Sequence, residues 1–441
     1  MRRPLFLKQP NPKVTRPLQE RVLLIGLTRT AQNRSVTAEH LQELEQLVTT
    51  IGYEVAAVMI IQPKRFEPAT MISKGKIDEI AEILINQAID EIVFDDDLTP
   101  TQLRNLQEIF DCEVRDRSSV ILEIFARHAR TKEAKTQIEL ATLEYLLPRL
   151  TRRWTHLERQ IGGIGVRGGA GETQIEMDRR LVKTRIAKLN EALEAIERER
   201  LVQRKGRRDC FHIAIVGYTN AGKSTLLNVL TGAEVKVEDQ LFATLDTTVR
   251  KLTMNGFQNL LLSDTIGFIR KLPADLIASF RSTLREIQEA DLILKVADLS
   301  SPYCLEHLDT VDEVLHELGV ITKPIIVVFN KIDCSDDLAL KRAKSRFPEA
   351  VFISAARQLR LDDLRQAIVR VLEQEGINLL VRLPLSAAKA IALVRDNAQI
   401  RAETYINGEV SFELFCYRRV WNWLAPKLRE FTKGQYDAEH P

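Results

Sequence analysis

Several short stretches place polar and charged residues at spacings that suit phosphate and purine chemistry. GYTNAGKST, residues 217–225, follows G-x-x-x-x-G-K-S. In that pattern the backbone N–H groups of Gly217, Tyr218, Thr219, Asn220, Ala221 and Gly222 curl around a β-phosphate. Lys223 then reaches β- and γ-oxygens, Ser224 ligates Mg²⁺, and Thr225 completes the candidate loop as the next helix begins. LLLSDTIG, residues 260–267, ends an apolar run in D-x-x-G. Asp264 is placed to hold Mg²⁺ through water, and the Gly267 N–H to meet a γ-phosphate. PIIVVFNKID, residues 324–333, ends another run in N-K-x-D. Asp333 can accept two hydrogen bonds from the N1–H and exocyclic amine of guanine, which adenine does not offer. Asn330 braces that loop and the Lys331 stem covers the base. AVFISA, residues 350–355, adds Ser354 and Ala355, where a backbone N–H meets guanine O6. Each motif alone is moderate evidence. In this order, at the ends of successive strands, they imply a GTP- and GDP-binding domain that hydrolyses GTP, with Lys223 and Gly267 among its catalytic residues.

A γ-phosphate sensor is expected between the phosphate loop and Asp264, and LFATLDTTVR (241–250) offers Thr244, Thr247 and Thr248. Thr244, after Phe242-Ala243, is favoured as catalytic residue and second metal ligand because small assembly GTPases place a threonine in a similar F-x-T context. The other two suit the start of a strand, where β-branched residues are at home. Phe268 follows D-T-I-G where Ras-like proteins carry a glutamine that orients the attacking water. Phenylalanine cannot do this, so hydrolysis is expected to be slow until a partner or ion supplies the missing group. Asn220 resembles the phosphate-loop asparagines that help bind K⁺ in other translational and tRNA-modifying GTPases; its alternative role is to form the turn.

The elements that must position these residues are legible as periodicities. RVLLIGL (21–27), EVAAVMIIQ (54–62), EIVFDD (91–96) and CEVRD (112–116) read as strands, separated by amphipathic helices. Thr99-Pro100 marks a helix start. Alternation over this length predicts a parallel sheet with helical cover. Two long charged helices come next. In 129–160, Ala134, Ile138, Ala141 and Tyr145 form one narrow stripe; in 178–208, Val182, Ile186, Leu189, Leu193 and Ile196 form another. Such stripes predict an antiparallel hairpin. FHIAIV (211–216) is the strand that feeds the phosphate loop. Near the C-terminus, LLVRLPL (379–385) reads as a strand, Asn407-Gly408 as a hairpin turn and Trp421, Trp423 and Leu424 as the packing face of a closing helix.

GGIGVRGGAGE, residues 162–172, lies at the predicted tip of the hairpin and contains the dinucleotide spacing Gly163-x-Gly165-x-x-Gly168. No strand precedes it, so the match is read as accidental. With Gly162, Gly171 and Arg167 it looks instead like a loop built to approach a partner's backbone closely. Residues 151–208 hold 15 Lys/Arg against 8 Asp/Glu, whereas the whole 441-residue chain nets only +2. A basic segment on a mildly acidic body is the footprint of local nucleic-acid contact. The five cysteines stand far apart, without metal spacing, which fits a reducing compartment. Neither a signal peptide nor 18 consecutive apolar residues is evident. The expectation is a cytoplasmic monomer, with peripheral membrane association as a further location.

GGIGVRGGAGETQIE (162–176) followed by this motif set resembles the HflX family of ribosome-associated GTPases. Residues 114–150 are similar to that family's sheet-to-hairpin segment, and LFATLDTTVR to its first switch. The resemblance implies binding to the large ribosomal subunit and GTP-dependent splitting of stalled or stressed ribosomes. It also implies that Gly162, Gly163, Gly165, Arg167, Gly168 and Gly171 reach rRNA near the peptidyl-transferase centre. ATP binding reported for some members' N-terminal domains supports an alternative, an RNA-remodelling ATPase/GTPase; Ser73-Lys74-Gly75-Lys76 is its candidate site, with Ser73 where members often carry glycine. The expected fold is α/β: an N-terminal parallel α/β domain (1–128), a helical hairpin (129–209), a P-loop GTPase domain (210–375) and a small α+β C-terminal domain (376–441).

Overall fold

Apolar strands alternate with one-sided helices from the first described residues, and each strand finds its sheet partners through the helix between them. The computed structural model describes residues 20–28, 33–63, 65–150, 174–204, 210–232, 242, 248–254, 257–271, 281–320, 322–406, 408–429, 431 and 436–438. They divide into two units, Met1–Ile124 and Phe125–Pro441.

In the first unit, β1 (Arg21–Leu27), α1 (Arg34–Thr50), β2 (Glu54–Ile61), α2 (Lys74–Gln87), β3 (Glu91–Phe94), α3 (Pro100–Phe110) and β4 (Glu113–Asp116) succeed one another. The sheet order is β2-β1-β3-β4 and every pairing is parallel. Leu23, Ile25, Ile80, Ile92, Phe94 and Leu106 share one core. Thr99 caps α3 in a reciprocal box with Gln102, satisfying two of the amides that a helix start leaves without partners. Ser73 is the N-cap of α2, and Lys76 is paired with Glu79 at 2.5 Å. The Ser-Lys-Gly-Lys stretch is thus a helix start with one of its lysines in an ion pair.

Helix α4 (Arg117–His128) leads to α5 (Lys132–Leu146) and a short 3₁₀ turn, and α6 (Gln174–Arg204) runs for 31 residues. The pairing of α5 with α6 differs from the predicted seam on one side. Val182, Leu189, Ile186 and Leu193 face the partner as expected, but α5 answers with Leu140 and Leu143, joined by Leu147 and Leu150. Ala134, Ile138 and Ala141 are buried as well. Helix α5 is covered on more than one side, so its alanine-rich stripe was no guide to which face meets α6. Arg185 grips Glu139 through two bonds of 2.6 and 2.9 Å at that seam.

The nucleotide-type motifs sit on a six-stranded sheet. Its strands are β5 (Phe211–Gly217), β6 (Thr248–Met254), β7 (Phe257–Asp264), β8 (Leu292–Asp298), β9 (Ile325–Asn330) and β10 (Val351–Phe352). The order is β10-β9-β8-β5-β7-β6, parallel except for β6 against β7. Among the described residues five helices accompany it: α7 (Lys223–Thr231), α8 (Arg281–Glu289), α9 (Cys304–Glu317), α10 (Asp337–Arg346) and α11 (Leu361–Glu375). A second sheet follows, from β11 (Gly376–Pro384), β12 (Gln399–Ile406), β13 (Glu409–Tyr417) and β14 (Tyr436–Ala438), in the order β12-β13-β11-β14. Helices α12 (Ala388–Asn397) and α13 (Arg418–Leu428) belong to it. Ile406 pairs with Glu409, and Gly408 takes φ +83°; Asn407 lies outside the described residues. One apolar cluster runs from Ile213 and Leu262 to Val381 and Phe412, and Phe257 meets Phe415 edge-on at 5.5 Å. The C-terminal sheet therefore docks on the motif-bearing sheet. Trp421 and Trp423 pack against that shared core. Among the described residues, no helix is long and apolar enough to cross a membrane.

Candidate functional site

The described motif residues lie at the carboxyl ends of strands in the six-stranded sheet or in the loops and helix start that follow them, where open α/β folds present their ligand crevice. β5 ends at Gly217, β7 at Asp264, β8 at Asp298 and β9 at Asn330, and Ser354 follows β10. The phosphate loop turns through Asn220 at φ +57° and Gly222 at φ +88° before α7 begins at Lys223. A side chain at 222 would be strained, and its Cβ would come 2.3 Å from Asn330 Nδ2. The left-handed backbone at 220 suits asparagine on conformational grounds alone.

Asn330 ties two motifs together. Its Nδ2 donates to the Ala221 carbonyl at 2.9 Å, and its Oδ1 accepts from the Ala355 amide at 2.9 Å. The phosphate loop and the loop expected to read guanine O6 are therefore held at a fixed separation by one buried amide. Lys331, at φ +62°, extends its ammonium to Asp298 at 2.7 Å, and Asp298 also accepts from the Ser300 amide at 2.9 Å. Asp298 went unnoticed in the sequence; an aspartate closing the apolar run LILKVAD was its signal. The Ser354 hydroxyl beside Asp333 holds its carboxyl below the usual carboxylate range, helped by the backbone, the Cys334 thiol and the Arg357 guanidinium. An ionised acceptor is what the two guanine donors require.

At the phosphate end, Ser224 Oγ donates to Asp264 Oδ2 at 2.6 Å. Lys223 is buried, and its ammonium donates to the Tyr218 carbonyl at 2.8 Å. Burial pushes this ammonium down to about 8, while Asp264 pulls in the other direction. A buried cation resting on one carbonyl is well placed to gain from an arriving polyphosphate.

Comparison with known proteins bears on the same residues. Residues 38–126 match the family model for the N-terminal region of GTP-binding GTPases, residues 128–207 their middle region, and residues 212–331 the 50S ribosome-binding GTPase model. GTPase HflX of Flavobacterium psychrophilum is 43% identical over 377 residues, covering 80% of this chain and 91% of the relative. GTPase HflX of Escherichia coli is 43% identical over 350 residues, 78% of this chain and 82% of the relative. The chain belongs to the HflX family of GTPases. It is a GTP-hydrolysing enzyme. The HflX relative from Akkermansia muciniphila extends the match to 92% of this chain and 98% of its own length, at 39% identity. A crystal structure of a GTP-binding protein from the hyperthermophilic archaeon Sulfolobus solfataricus in complex with GDP is 27% identical, with a TM-score of 0.41, and covers 81% of this chain and 99% of its own.

Some expected residues of this HflX-family chain stand apart from the described geometry. Thr248 opens β6 and pairs with Asp264 across the sheet, a strand role as anticipated. Thr244 and Thr247 lie outside the described residues, as do Gly162, Gly163, Gly165, Arg167, Gly168 and Gly171. Thr225 lies in the first turn of α7. Phe268 is buried, and its backbone pairs with the phosphate loop: Thr219 N–H donates to its carbonyl at 2.8 Å, and its own N–H donates to the Gly217 carbonyl at 3.1 Å. The sequence excluded this residue as a water-orienting group but did not reveal the pairing. Replacing Lys223 with alanine should weaken triphosphate binding by about 10- to 100-fold, the worth of one charge-assisted hydrogen bond, with hydrolysis falling alongside. Equilibrium titration with a non-hydrolysable GTP analogue and single-turnover assays read the two losses.

Proposed function

We propose that this GTPase binds the large ribosomal subunit and, with GTP bound, splits stalled or stressed ribosomes, hydrolysis returning it to a weakly bound state. The observation that carries the reading is the match of residues 212–331 to 50S ribosome-binding GTPases. It is joined by a basic helix whose Arg179, Arg180, Lys183, Lys188 and Arg198 are exposed and can contact phosphate. In this proposal Asp333 reads guanine, the 217–225 loop and Lys223 hold the phosphates, and Gly267 answers the γ-phosphate. The adjacent Ser224 hydroxyl and Asp264 carboxylate form the hard oxygen pair that Mg²⁺ favours. Ser224 would hold the ion directly and Asp264 through water, with Thr244 as a further ligand. When bound, Mg²⁺ neutralises charge on the phosphate oxygens. Lys223 contributes a positive charge with little rearrangement, because burial and the Tyr218 carbonyl already fix its direction. Asn220 is the residue that would help hold K⁺ in this proposal, its alternative role being to form the turn, which its φ of +57° suits.

The hairpin loop supplies the sharpest test. Replacing residues 162–171 by a short Gly-Ser turn should leave GTP and GDP dissociation constants within about twofold, since the motif residues begin at 217. Subunit release should be nearly abolished. Sedimentation of purified ribosomes with GTP analogue, GDP or ATP measures that release, and normal splitting by the variant would overturn the proposed use of the loop. Release driven by ATP instead of GTP would favour RNA remodelling through the N-terminal unit.

A further inference from the structure

Tyr218 lies in the phosphate loop, yet its side chain is directed at the segment after Gly267. Its hydroxyl accepts a hydrogen bond from the Arg270 backbone N–H at 2.9 Å. Its ring stacks on His307 of α9, with centroids 3.8 Å apart and planes within 9°. Between these anchors, Phe268 exchanges its two backbone bonds with Gly217 and Thr219. Residues 268–270 are consequently fastened to the phosphate loop at three points, one of them a side chain.

This docking bears on how the site tells a triphosphate from a diphosphate. A Cβ on Gly267 would lie 2.9 Å from Lys223 Nζ and equally close to Thr219 Cα and Cγ2. A phosphoryl group entering between Gly267 and Lys223 must therefore displace the flexible end of Lys223 or the segment itself, and the Thr219 Cα, being backbone, leaves the segment little room while it stays docked. A diphosphate makes no such demand. The docked arrangement also has a cost, because the Thr219 hydroxyl is buried without a hydrogen-bond partner among the described residues. Hydrogen bonds and a ring stack thus favour the docked arrangement, and the buried Thr219 hydroxyl opposes it.

We propose that Tyr218 is a positioning residue that holds the Gly267–Arg270 segment on the phosphate loop and so sets the preference for GTP over GDP. The proposal rests on the GTP reading of the site. Tyr218→Phe keeps the ring stack and the backbone carbonyl that receives Lys223, and removes the hydroxyl that accepts from Arg270 N–H. Loss of one neutral hydrogen bond changes such an equilibrium by about two- to tenfold. The affinity for a GTP analogue relative to GDP should thus rise by that factor in Tyr218→Phe. His307→Ala, which removes the stack, should move the ratio in the same direction.

The experiment is titration of parent protein, Tyr218→Phe and His307→Ala with fluorescent GDP and a fluorescent non-hydrolysable GTP analogue, in Mg²⁺ buffer. A rise in the ratio of GTP to GDP affinity supports the assignment. An unchanged ratio, a lower one, or equal losses for both nucleotides overturn it. Failure of the parent protein to bind either nucleotide would instead overturn the GTP reading beneath it.

Discussion

Replacing Asp333 with asparagine will convert a GTP site into one that prefers xanthosine triphosphate. The carboxylate is set up as an acceptor: Ser354, its own backbone, Cys334 and Arg357 all favour its ionised form. Guanine presents two donors to it, N1–H and the exocyclic amine. An amide can accept from only one of them and turns its NH₂ toward the other, so donor faces donor. Hydrogen bonds to a charged acceptor contribute about 1.5–3 kcal/mol each, and an unmatched donor adds its own desolvation cost. The expected loss in GTP affinity is on the order of 100- to 1,000-fold, tenfold for about every 1.4 kcal/mol. Xanthine carries a carbonyl at C2, which the new amide N–H₂ can satisfy. Competition between the two triphosphates for a fluorescent nucleotide measures the exchange. A variant that still prefers GTP would mean that Asp333 does not face the base.

The sheet positions of the site were legible because local pattern and global fold agree there. FHIAIV, LLLSD and IIVVFN are continuous apolar runs of the kind that parallel strands covered on both faces require. Thr99-Pro100 was legible for a similar reason, since the capping box uses residues three apart. Contacts between distant residues were not. Asn330 meets Ala221 across 109 positions, and no periodicity encodes that meeting. The same holds for Tyr218 and Arg270, 52 residues apart, where the tyrosine looked like one more phosphate-loop position. In α5 the failure was of another kind. A helix buried on several sides shows several apolar stripes, and spacing alone cannot choose the one that meets α6.

The largest stability effect is expected at Arg117, at the start of α4. Its guanidinium is almost wholly enclosed; it donates to Asp95 at 2.8 Å and is paired with Glu43, so strand β4's exit, β3's exit and α1 converge on one cation. Asp95 is as buried as the arginine, and it lies 3.8 Å from His40. Arg117→Ala would remove the counter-charge that Asp95 and Glu43 share. Removing one partner of a buried ion pair costs roughly 3–5 kcal/mol, and the cavity adds to it. Arg117→Met refills much of the volume but restores no charge, so it should recover only the cavity contribution. Adding Asp95→Asn and Glu43→Gln to Arg117→Met removes the two carboxylate charges that lost their shared arginine and should regain most of the remaining loss, because a neutral cluster avoids the desolvation of three ions. Urea unfolding of the three variants, followed by a probe in the first unit, separates charge from volume. If Arg117→Met alone were as stable as the parent protein, the cation would be filling space and not neutralising the cluster. GTP affinity is the control in each case, since every proposed nucleotide contact lies at or beyond Gly217.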